Sequence, residues 1–180
     1  MNKRIVLLSL VVSLSLSALG QDKKIDLEIT DFECTRQNLN FNLTITNVSD
    51  TVINTFLPTE KDICYGLFKI NVINSKTNQI YEYYPGTPIK KGVYLIVLKQ
   101  LDHVQLDSSN TASLKPQEQY KQPFSIPKKR IYFGLKKSDY YQLYIAWHFE
   151  GVEFRSSFEN VFNENVESNK VNLNLYCKRE

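Results

Sequence analysis

Glycine is scarce in this 180-residue chain, and its six positions, 20, 66, 86, 92, 134 and 151, never cluster. That spacing excludes a glycine-rich phosphate cradle and a Gly-X-Ser-X-Gly nucleophile turn, both of which need glycines a few residues apart. Histidine is scarcer still, with only His103 and His148. A histidine-rich metal centre is ruled out, and the metal site left open is calcium in the acidic loop Asp107 to Asn110. No cofactor is expected. An excess of one charge is also missing: without Lys3 and Arg4 the 22 basic residues fall to 20, against 19 acidic ones. Near-neutrality gives no global pull toward nucleic acid or acidic lipid.

What is present begins with the first twenty residues. Lys3 and Arg4 precede an apolar run from Ile5 to Leu16 and a small-residue exit at Ala18 and Gly20, the build of a secretory signal peptide. The run is broken by Ser9, Ser13 and Ser15 and falls short of the roughly 20 apolar residues of a spanning helix. Cleavage after Gly20 leaves Gln21 first, with no cysteine at the cut to take a lipid. A periplasmic or secreted protein without a transmembrane anchor is therefore expected, with residues 21–180 as one domain.

The mature region reads as strands. Its 11 Tyr and 10 Phe suit sheets better than helices. Ile25, Leu27 and Ile29 alternate with polar residues, and Leu39, Phe41, Leu43 and Ile45 repeat that period, predicting two antiparallel strands. Asn47 to Asp50 reads as a turn, and Phe56, Leu57 and Pro58 as an irregular passage. Phe68, Ile70 and Val72 share one face of a third strand, joined through the turn formers Asn74 to Asn78 to a strand at Ile80 to Tyr84. Further strands are expected at Tyr94 to Leu98, His103 to Leu106 and Tyr120 to Ile126, with a short helix admissible between Pro85 and Leu101. Tyr140 to Phe149 is the strongest strand; Val152 to Phe158 returns from it, and Lys170 to Tyr176 closes the chain. Together these predict an all-β, antiparallel sandwich of about 7 to 9 strands.

The stretch from Asn47 to Leu175 resembles immunoglobulin-like β-sandwich domains of secreted bacterial proteins. More distantly it resembles the non-catalytic sandwich domain of fungal lysine-specific metallopeptidases. The shared pattern is a strand ending in Asn47, the segment Tyr84, Pro85, Gly86, a middle region ending at Leu114, Lys115, Pro116, and a Leu135 to Tyr144 segment. Where such domains carry Pro-Gly-Glu, this chain has Pro116, Gln117, Glu118. The zinc-binding His-Glu-X-X-His motif is absent, so the resemblance implies a fold and no peptidase activity. It also implies a tyrosine near the start of the penultimate long strand, bonded back to the preceding corner; Tyr140 or Tyr141 fits that place.

Three cysteines in an oxidising compartment predict one disulfide and one remaining thiol. Strand parity favours Cys34 with Cys177, with Cys34 to Cys64 as the alternative. A Cys–His nucleophile pair is weighed against this and set aside, as are Glu150 and Glu153 as paired carboxylates, because turn-tip charges are ordinarily solvated. Lys128, Lys129 and Arg130, followed by Tyr132, Phe133, Lys136 and Lys137, form the one basic cluster with interleaved aromatics. In an exported chain its partner would be an anionic surface rather than nucleic acid.

The function expected is an exported, non-enzymatic protein that binds a protein partner, in its most specific form a periplasmic inhibitor or toxin-neutralising immunity protein. A glycan- or lipid-binding envelope module is the alternative, and an enzyme with a site assembled from scattered residues is a third. The binding face is assigned by parity. Tyr141, Leu143, Ile145, Trp147 and Phe149 turn inward, leaving Tyr140, Tyr144 and His148 as an outward aromatic row that Tyr81 and Tyr83 extend if their strand shares the sheet.

Overall fold

A computed structural model describes residues 23–59, 62, 66–83, 103–131, 135–136 and 138–173. These form strands β1 (Ile25–Cys34), β2 (Asn38–Asn47), β3 (Ile53–Phe56), β4 (Phe68–Asn74), β5 (Ile80–Tyr83), β6 (His103–Gln105), β7 (Thr111–Leu114) and β8 (Gln119–Pro127). A one-turn helix α1 (Lys128–Ile131) precedes β9 (Tyr141–Trp147), β10 (Glu153–Arg155), β11 (Val166–Glu167) and β12 (Val171–Leu173). The signal peptide, the strand at Tyr94 to Leu98 and the helix between Pro85 and Leu101 lie outside the described residues.

Two antiparallel sheets make a β-sandwich. One has the order β1-β2-β8; the other runs β5-β4-β9, with β11 and β12 sharing the far edge of β9. Alternation explains the core: Leu39, Phe41, Leu43 and Ile45 bury one face of β2, and Phe68, Ile70 and Val72 of β4 join Leu143, Ile145 and Trp147 of β9. Each such side chain contributes on the order of 1.5–3 kcal/mol on leaving water. A column of stacked rings ties the sheets together: Phe32, Phe41, Phe124 and Phe68 follow at centroid spacings of 6.4, 5.4 and 5.1 Å.

Both edges of the three-stranded sheet carry a device against further pairing. On β8, Pro123 and Pro127 share one parity and have no N–H to donate, so the edge they face is a poor template for another strand. On β1, the Asn169 side chain takes the place of a strand: its Oδ1 accepts the Ile29 N–H at 2.6 Å and its Nδ2 donates to the Ile29 carbonyl at 3.3 Å.

The structure departs from the sequence expectations in the short elements. Phe56 is not in an irregular passage; it ends β3, which pairs with β7 antiparallel from Ile53–Leu114 to Phe56–Thr111. All four β3 residues are buried, so the segment has no two-residue alternation to reveal it. The return after β9 does not form a hairpin with it either. β10 pairs in parallel with β6, through Phe154 and Val104, while the far edge of β9 is taken by β11 and β12. These brief strands bring the count among the described residues to twelve.

Two local features fix the chain at the ends of the long strands. The Tyr141 hydroxyl accepts the Lys136 backbone N–H at 3.0 Å, forming the corner at the entry to β9. At the β7–β8 turn the Glu118 N–H donates to the Lys115 carbonyl at 3.0 Å, and Gln117 adopts φ 64° where the pattern carries glycine.

Candidate functional site

The outer face of the β5-β4-β9 sheet gathers the sequence-selected tyrosines and histidine into a grid fixed by register. Ile80, Ile73, Gln142 and Asn172 form one rung; Glu82, Asn71 and Tyr144 the next; Lys69, Ala146 and Glu167 a third. His148 lies beyond the third. Tyr140 lies beyond the first, where its carbonyl accepts the Ser75 N–H of the β4–β5 turn at 2.9 Å.

The parity assigned to β9 holds: Tyr141, Leu143, Ile145, Trp147 and Phe149 are all buried. The continuous exposed row does not exist. Tyr140 is 83% exposed, His148 is half-buried, and Tyr144 is only 6% exposed despite facing outward. Tyr144 sits mid-sheet, with the Lys170 ammonium 5.4 Å from its ring centroid and with Glu167 on neighbouring β11 and Glu82 on β5 beyond β4. A central position under long side chains removes the water that parity alone suggests. Tyr81 does not extend the row either. It pairs with the buried Val72, so it faces inward, and its ring meets that of Tyr141 edge-on at 6.1 Å. Tyr83 pairs with Ile70, and its side chain is outside the described set.

Electrostatics on this face are coupled. Burial first, then the Glu167 and Glu82 carboxylates, push the Tyr144 phenol above its ordinary value. Burial and the Lys69 ammonium hold the His148 imidazole below 6.5, with Glu167 and Glu82 pulling the other way. Lys69 and Glu82 are 3.4 Å apart, bridging two rungs.

What sequence reasoning missed at this site is Ile80, which is 50% exposed beside the turn. Ile80 and Tyr81 alternate on opposite faces of β5, and register with β4 turns Ile80 outward.

The other candidates are dispersed. Glu150 and Glu153 do not act as a pair: Glu150 Oε2 accepts from Asn165 at 2.8 Å, and the Arg155 guanidinium bonds Glu153 at 2.9 Å, lowering its carboxyl pKa. Asp107 Oδ1 accepts both the N–H and the hydroxyl of Ser109, which holds its carboxyl low and closes the loop proposed for calcium. No group of three or more His, Cys, Asp or Glu side chains able to hold a metal occurs among the described residues. His103 lies on exposed β6 beside Glu153. In the basic cluster, Lys128 donates to the Thr35 carbonyl at 2.8 Å, while Tyr132, Phe133 and Lys137 are outside the described residues. Cys34 ends β1, packed against the core; Cys64 and Cys177 lie outside the described residues. No helix among the described residues is long and apolar enough to cross a membrane. Comparison with protein-family models and with curated proteins finds no match.

Proposed function

We propose that the chain is an exported, non-enzymatic binding protein that docks a protein partner at the Tyr140 end of the five-stranded sheet. Its most specific form is a periplasmic inhibitor or toxin-neutralising immunity protein. One observation carries the reading: Tyr140, 83% exposed, stands at the turn end of the rung where Ile80, 50% exposed, pairs with Ile73. A tyrosine so placed offers a large apolar ring with a hydrogen-bonding tip, and anchors of this kind dominate protein interfaces. Lys69, Glu82, Glu167 and Lys170 supply the polar rim on the same face.

The Cys34–Cys177 disulfide belongs to the same proposal. β1 runs alongside residues 164–169, with Lys24 bonded to Glu164 at 2.6 Å and Ile29 to Asn169 at 2.6 Å. Five residues on one side match five on the other, a course that supports Cys34 meeting the chain beyond β12. Non-reducing peptide mapping of the exported protein reads the pairing directly.

The test of function is retention of a protein from an envelope extract by the mature chain, with a Tyr140→Ser bait beside it. A stoichiometric protein held by the first and lost by the second is the expected result. No retained protein, with clean glycan binding instead, would overturn the reading.

A further inference from the structure

We infer that the outer face of the opposite sheet, beneath the irregularity in β1, is a binding site for a neutral, hydroxyl-rich sugar residue. A shallow depression, largely open to solvent, is lined there by Asp31, Asn40, Asn42, Pro123 and Ser125, with the buried Phe41 and Phe124 beneath them.

Its polar groups are held in place before any ligand arrives. The register of β1 against β2 shifts between Thr30 and Glu33, and Asp31 takes φ 51°, a left-handed conformation uncommon outside glycine. The irregularity aims the Asp31 carboxylate across β2, where Oδ2 accepts from Asn42 Nδ2 at 2.8 Å. On the other flank the Ser125 hydroxyl donates to Asn40 Oδ1 at 2.9 Å and accepts from Asn38 Nδ2 at 3.1 Å. These bonds fix which amide atoms remain available. Asn40 keeps both Nδ2 donors, Asn42 keeps Oδ1, and Asp31 keeps its second oxygen, none with a partner among the described residues.

Donors and acceptors thus alternate over a few ångströms. Sugar hydroxyls, which donate and accept at once, meet that pattern; a phosphate or sulfate, which only accepts, does not. Charge points the same way, since the lining holds one carboxylate and no cation. The Pro123 ring adds an apolar surface for the C–H face of a pyranose. This site is on the face opposite Tyr140, so a bound glycan leaves the proposed protein-docking end free.

The test uses the purified mature protein on an array of neutral and acidic oligosaccharides, followed by calorimetric titration of maltotriose, cellotriose, laminaritriose and chitotriose. Binding of a neutral glycan is expected. Asn42→Ala should weaken it about tenfold, and Asp31→Asn, which suits the left-handed backbone and keeps the fold, should weaken it about fivefold. Tyr140→Ser should leave it unchanged. No neutral glycan bound, binding of acidic glycans only, or unaltered affinity in both recess variants would overturn the assignment.

Discussion

The Tyr141 hydroxyl reaches back five residues to the Lys136 N–H, at 3.0 Å, and fixes how the chain enters the central strand of the larger sheet. Tyr141 itself is buried, while Lys136 is exposed, so its N–H can turn to water when the bond is lost. Tyr141→Phe keeps the ring and removes only the acceptor. The expected cost is about 0.5–1.5 kcal/mol in urea-induced unfolding. An unchanged midpoint would show that the corner bond does not stabilise the sandwich.

Asn47 is a second fixed point, fully buried at the end of β2. Its Nδ2 donates to the Thr51 and Leu114 carbonyls at 2.7 and 2.8 Å, and its Oδ1 accepts the Ser49 N–H and hydroxyl at 2.9 and 2.7 Å. Asn47→Ala strands several of these groups at once, and a loss of about 2–4 kcal/mol is expected. Chemical denaturation of the variant measures it; a loss below about 0.5 kcal/mol, the size of an ordinary surface substitution, would contradict the assignment.

Gln117 presents the opposite case. Its φ of 64° is unfavourable for a side chain with a Cβ, and it occupies the turn position where glycine is preferred. Gln117→Gly relieves that cost, less the extra freedom glycine gains when unfolded. A net stabilisation of about 0.5–1 kcal/mol is expected in the same assay. Destabilisation would mean that the Gln117 side chain makes contacts worth more than the strain.

The long strands were legible because period-two alternation is strongest where one face is buried and the other wet, as in β2 and β9. β3 escaped because Ile53, Asn54, Thr55 and Phe56 are buried on both faces and show no alternation. The Tyr141 corner and the Gln117 turn carry no periodic signal, because each rests on a local backbone hydrogen bond rather than on a buried face. At the candidate site, the inward turn of Trp147 followed from parity, whereas the burial of Tyr144 depends on Lys170, 26 positions along the chain and brought near only by the β9–β12 pairing. Local pattern reports which face a residue takes; it does not report what long side chains from other strands lay over it.

His148 makes the candidate face sensitive to acid. Its folded-state pKa is depressed below 6.5 by burial and by Lys69, so the folded protein prefers the neutral imidazole. The stability this contributes is present above the unfolded value, and is lost as pH falls through the folded one. Melting temperature should therefore drop on acidification below about pH 6.5, and less steeply in His148→Gln. Identical acid profiles for the two proteins would contradict the placement of His148 in a desolvating, Lys69-facing position.

If Tyr140 anchors a protein partner as proposed, the affinity of the captured partner separates the native chain from Tyr140→Ser. A loss of more than about 1 kcal/mol is expected, roughly fivefold or more in Kd, with the melting temperature unchanged because the side chain is solvent-exposed. Equal affinity for the two proteins, with both folded, would contradict it.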